Sequence, residues 1–90
     1  MTSIHEAMAD FEDEEVNHPS HYTNGSVECI DAIESALTPI EFRGFLRGSI
    51  IKYLWRMGLK GGPKNALKDL GKAEWYMRLL KARRKDDLGL

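Results

Sequence analysis

Ninety residues allow one domain at most, and a chain this short buries only about 60% of the surface its unfolded form exposes, so a second copy is a ready way to cover what one copy cannot. One cysteine, Cys29, excludes an intrachain disulfide; no signal-peptide pattern and no apolar run of about 18 residues occur, so a cytoplasmic protein with no membrane partner is expected. The formal net charge of −1 conceals a split: residues 1–45 hold ten acids against one base, Arg43, and residues 46–90 hold twelve bases against four acids. The second half therefore attracts anions and the first can screen it, while a net charge near zero disfavours a dedicated nucleic-acid binder.

Residues 1–16, MTSIHEAMADFEDEEV, end in a run of like charge with little to bury, which predicts an acidic, mobile arm with room for a short helix. A single helical domain is expected over 17–85, with a frayed tail at 86–90. The stretch NHPSHYTNG at 17–25 reads as a loop, because Pro19 keeps His18 out of the α region and Asn24-Gly25 is a turn signal. Ser26 is then placed to cap a helix whose face is Val27, Ile30, Ile33 and Leu37. Thr38-Pro39-Ile40-Glu41 has the residues of a capping box, with proline at the first helical position. The helix that follows carries Gly44 and Gly48 four apart on one face, where a backbone or a ligand can come close. A kink there, or a break into helices over 39–45 and 47–57, is expected. Its apolar stripe is read as Ile50, Ile51, Leu54 and Met57, and Gly58 suits the position after the C-cap. GLKGGP at 58–63 is a connection, and Pro63 opens the longest helix. That helix carries Ala66, Leu67, Leu70, Ala73, Tyr76 or Met77, and Leu80, to about Arg83. No strand is expected; the chain reads as an all-α domain of three or four helices, assembled as a homo-oligomer.

The residues that carry chemistry concentrate in the third of these segments. Lys52 and Arg56 share a helix face, Arg47 lies one turn earlier beside Gly48, and Lys60 follows in the connection. Cations beside glycine-opened backbone suit a phosphate, which needs charge, forked donors and close approach. The competing account is a solvated basic face paired with the acidic arm. Tyr53, Trp55, Trp75 and Tyr76 are core residues or nucleobase platforms, the two tryptophans standing at the edges of their stripes. His18 and His21 lack a partner set with metal-ligand spacing, so no metal site is assigned; a loop-anchoring role and a ligand-binding role both remain open. Glu28, Asp31 and Glu34 repeat at three-residue spacing but do not form the carboxylate signature of helical nucleotide pyrophosphatases. Asp69 and Lys72 read as an ion pair. GLKGGPKNA lacks the G-K-[ST] ending of a phosphate loop, and no strand precedes it.

Four blocks in order — HPSHY, ECIDAIE, FRGFLRGSIIKYLWRMGLKGG and LKDLGKAEWY — resemble the SaV-like family of phage and prophage proteins. This is a domain of unknown function whose characterised relative is a coliphage nucleotide kinase. The resemblance spans about residues 18–80 and departs from the family at Ser49, where asparagine is usual. It implies a phage-encoded protein in the cytoplasm of an infected bacterium, acting on nucleotides. By position it singles out His18, His21, Tyr22, Glu28, Gly48, Lys52, Tyr53, Arg56, Lys60, Asp69 and Lys72.

Together these readings assign phosphate binding to Arg47, Gly48, Lys52, Arg56, Lys60 and Lys72. Base or ribose contact falls to His18, His21, Tyr22, Ser49, Tyr53 and Trp55, with His18 the more structural of the two histidines. The expected partner is a phosphorylated or cyclic nucleotide, held without cofactor so that a nucleotide signal of host defence is sequestered. The alternatives are a nucleoside-monophosphate kinase, with magnesium on Asp31 or Asp69, and a plain protein-interaction module.

Overall fold

The computed structural model describes residues 2–8, 23–24, 27–59 and 61–90. The elements are α1 (Ile4–Ala7), β1 (Thr23–Asn24), β2 (Val27–Glu28), α2 (Cys29–Ala36), α3 (Pro39–Arg56) and α4 (Gly62–Asp87). The fold is all-α, with one addition: the two-residue strands pair antiparallel, Thr23 opposite Glu28 and Asn24 opposite Val27. Asn24 of the expected turn closes β1, while Gly25 and Ser26 lie outside the described residues. Val27 belongs to this ladder and not to the helix. Helix α2 starts at Cys29, two positions later than a Ser26 cap requires, with Glu28 as an N-cap whose side chain makes no capping bond. Its face of Ile30, Ile33 and Leu37 does pack on the core.

The start of α3 follows its sequence closely. Thr38 Oγ1 accepts from the Glu41 amide at 3.2 Å, and Glu41 Oε1 accepts from the Thr38 amide at 2.9 Å. Two orphan donors of the first turn are satisfied, and Pro39 gives up an amide that had no partner to lose. The expected kink or break at Gly44 and Gly48 is absent: α3 is one helix of 18 residues. Two interior glycines cost a helix about 1 kcal/mol each, and the buried row Phe42, Leu46, Ile50 and Tyr53 outweighs that by packing on α4. That row is also a correction. Of the predicted stripe only Ile50 is buried, while Ile51 and Leu54 face outward. The segment is apolar on two opposite faces, so periodicity alone cannot say which meets the core.

Helix α3 is capped at Met57 with Gly58 beyond it, but Gly58 is not left-handed; in this connection the positive φ angles fall at Gly61 (82°) and Gly62 (76°), where the chain turns into α4. Helix α4 runs past Arg83 to Asp87. Ala73, Tyr76 and Leu80 face α3 as expected, Leu67 and Met77 are exposed, and Trp75 and Leu79 are the deeply buried members.

The acidic tail and the front of the arm are tied together. Ile4 and Met8 of the α1 segment are buried in the main core with Phe42, Leu46, Trp75 and Leu79, so residues 2–8 are packed; the rest of the arm lies outside the described residues. The Thr2 hydroxyl donates to Asp86 at 2.9 Å. Buried Arg83 binds Glu34 of α2 by a fork, Nε–Oε2 2.5 Å and Nη2–Oε1 2.9 Å, and donates through Nη1 to Asp86 at 3.0 Å and to the Thr2 carbonyl. Arg43 reaches Asp87 at 2.5 Å. The frayed end expected at 86–90 is therefore helical and paired at Asp86 and Asp87. At the other end of the α3–α4 hairpin a smaller cluster, Ile50, Tyr53 and Ala73, is built from those two helices alone.

Candidate functional site

The exposed side of that smaller cluster collects the cations. Tyr53 is buried and stacks on Tyr76, with centroids 5.8 Å apart and planes 14° from parallel. Around its ring stand Lys52 Nζ at 4.6 Å, Lys72 Nζ at 5.4 Å and the Arg56 guanidinium carbon at 5.8 Å from the centroid. Positions 52, 53 and 56 of α3 meet position 72 of α4, so two blocks of sequence twenty residues apart share one face. The ring's negative face attracts cations, yet three of them there repel one another. Among the described residues one carboxylate answers them: Asp69, 2% exposed, lies 3.6 Å from Arg56 Nε. Asp69 thus pairs with Arg56, where the sequence suggested Lys72. Lys52 and Lys72 are left with the ring as their recorded partner, and the group carries a surplus of positive charge over a low-dielectric aromatic floor.

The other expected site residues are distributed as follows. Gly48 is on the open side of α3, and a Cβ built there meets nothing within 4 Å. Arg47 is exposed but five residues from Lys52, about 140° around the helix, so it does not join the cluster. Trp55 is 75% exposed, one turn from Lys52 and beside Arg56, an open indole next to the cations. Ser49 turns its hydroxyl back to the Phe45 carbonyl at 3.0 Å, an intrahelical bond that uses its one donor. Trp75, the other platform considered, is core. His18, His21, Tyr22 and Lys60 lie outside the described residues.

A second constellation was not legible in the sequence. His5 of α1, Glu28 and Asp31 bring one ligand atom each to within 4.8 Å of one another, with His5 Nε2 3.9 Å from Asp31 Oδ2. One imidazole and two carboxylates are a donor set able to hold a divalent cation. Glu28 and Asp31 are three apart and visible as a pair, but His5 joins them from the distant α1 segment, which no local spacing announces. If magnesium is used, Asp31 is the better placed of the two carboxylates considered for it, since Asp69 is engaged by Arg56.

The family model described as a protein of unknown function (DUF3310) matches residues 16–78. The chain belongs to this family. The DUF3310 chain is 41% identical over 66 residues to the Gene 1.7 protein of Enterobacteria phage T3, which covers 72% of this chain and 40% of that one. It is 39% identical over 67 residues to the Nucleotide kinase gp1.7 of Escherichia phage T7, covering 73% and 34% respectively. It spans well under half the length of these curated relatives. Both are phage proteins and one is named a nucleotide kinase, in line with the resemblance of the four sequence blocks. No solved structure matches the DUF3310 chain. No helix among the described residues is long and apolar enough to cross a membrane.

Proposed function

We propose that this protein binds a phosphorylated nucleotide, linear or cyclic, at the Lys52–Arg56–Lys72 cluster, and that its role in an infected bacterium is to sequester a nucleotide signal of host defence. The observation that carries the reading is the ring of three cations around Tyr53 with one carboxylate to balance them. Lys52 and Lys72 act as point charges on phosphate oxygens, and Arg56, held by Asp69, presents its remaining donors as a fork. Trp55 offers a stacking face for the base. Residues 18–22, the HPSHY block, are the further candidates for base and ribose contact.

A second reading, a nucleoside-monophosphate kinase, is favoured by the name of the T7 relative. Phosphoryl transfer is mostly positioning and charge stabilisation, which the three cations can supply. Calorimetry with deoxynucleoside monophosphates, cyclic nucleotides and ADP-ribose tests binding, and incubation with ATP and magnesium tests turnover. Binding without turnover supports sequestration, and a diphosphate product supports the kinase. Lys72→Met should weaken either by about tenfold, close to 1.4 kcal/mol. No binding to any of these ligands would sink both readings.

A further inference from the structure

The face of α3 turned away from the core is apolar and unusually open. Ile40, Ile51 and Trp55 are 74%, 58% and 75% exposed. Gly44 and Gly48 lie between them, and a Cβ at either meets nothing within 4 Å. At 100° per residue, Ile40, Gly44, Ile51 and Trp55 fall within about 60° of one another, on the side opposite Phe42, Leu46, Ile50 and Tyr53. A solvated helix face has no use for two glycines, each of which costs helix stability, nor for three large apolar side chains.

We infer that this face packs against the same face of a second copy, antiparallel and about a two-fold axis midway between Arg47 and Gly48. The spacing is self-complementary in that register. Ile51 of each copy sits over Gly44 of the other, and Ile40 sits beside Trp55, so large residues meet small ones or each other's flanks. The charges agree as well. On α3 itself Glu41 stands in the N-terminal half, where Arg43 is engaged by Asp87, and Lys52 stands in the C-terminal half, where Arg56 is engaged by Asp69. Antiparallel pairing brings Glu41 of one copy and Lys52 of the other to the same edge of the seam. The two Arg47 heads near the axis are its one unfavourable pair, and the missing side chain of Gly48 gives their stems room. Because Trp55 lies at the seam's edge, the partner's Ile40 closes one face of the indole and leaves its other side toward the cations.

The seam is one helix wide, so association depends on concentration. The full chain, 10.3 kDa, is therefore weighed by light scattering and sedimentation at tens of micromolar, as wild type and as Gly44→Leu and Ile51→Lys. The wild type should have the mass of two chains, and each variant that of one with unchanged helical circular dichroism. Gly44→Leu has a second expected readout: at dilutions where all proteins are single chains it should melt higher than wild type, because leucine is the better helix former and its site is open. A wild type of single-chain mass, or an assembly whose mass neither substitution lowers, overturns the inference. So does a Gly44→Leu chain that keeps its two-chain mass while losing nucleotide binding, since the glycine would then serve a ligand.

Discussion

Arg83 is the residue on which the largest single effect on stability is expected. It is 5% exposed and joins three segments: α4 that carries it, α2 through Glu34, and the α1 segment through the Thr2 carbonyl. In Arg83→Met the aliphatic volume is roughly kept, but four hydrogen bonds are lost and the carboxylates of Glu34 and Asp86 stay behind without their cation. Removing one partner of a buried pair costs about 3–5 kcal/mol. Glu34 is 19% and Asp86 15% exposed in their side chains, so water relieves part of that, and the lower figure of about 3 kcal/mol applies. A domain of this length loses roughly 4–8 °C of melting temperature per kcal/mol, so a fall of about 12 °C or more is expected in a thermal scan followed by circular dichroism. A double variant, Arg83→Met with Glu34→Leu, should recover part of the loss, because the stranded charge is gone. A fall below about 4 °C for the single variant would refute the clasp, and so would a double variant no more stable than the single one.

Three further outcomes follow from the same contacts. Burial pushes the Asp86 carboxyl up, but hydrogen bonds from Thr2 and Arg83 outweigh it and hold it below the usual carboxylate value of 3.8; the Thr38 bonds do the same for Glu41, below 4.5. A depressed carboxyl stabilises the fold above its unfolded value and loses that stabilisation as pH falls through the folded one, so melting temperature should decline below about pH 4, and less steeply in Asp86→Asn. Thr38→Ala should cost about 1 kcal/mol by removing the cap of α3, read in urea unfolding. Gly61→Ala should be destabilising by about 1–2 kcal/mol, since φ is +82° and the new Cβ would fall 1.6 Å from Asn65 Nδ2; adding Asn65→Ala removes the amide but leaves its Cβ 2.8 Å away and the backbone strain in place, so rescue should be partial.

Local chemistry was readable and long-range placement was not. The Thr38–Glu41 box needs only its own four residues, and it is present to the atom. The Ile30–Ile33–Leu37 face and the entry of α4 at Pro63 are likewise short-range. The inward face of α3 was misread because Ile50 and Ile51 are neighbours and both faces are apolar; only the position of α4 decides which is core. The candidate site shows the same division. Lys52, Tyr53 and Arg56 were legible as a helix face, whereas the pairing of Asp69 with Arg56 depends on how α4 lies across α3. Arg47 looked like a member because it stands one turn before the others in sequence, but five residues is a turn and a half. His5 was invisible for the reason that Arg83 was: its partners come from segments far away along the chain.

The two ends of the hairpin differ in how their cations are paired. At the C-terminal end of α4, Arg83 is neutralised by Glu34 and Asp86, and Arg43 by Asp87, within a core braced by α1 and α2. Arginines there are structural, and their charge is unavailable to a ligand. At the N-terminal end no described third helix joins the cluster, and Lys52, Arg56 and Lys72 share one buried carboxylate. The net charge of −1 also counts the five acids of residues 10–15, which lie outside the described residues, so it describes neither end. Among the described residues, Glu34, Asp86 and Asp87 hold their arginines at the end that α1 and α2 brace, and the cations around Tyr53 are left with Asp69.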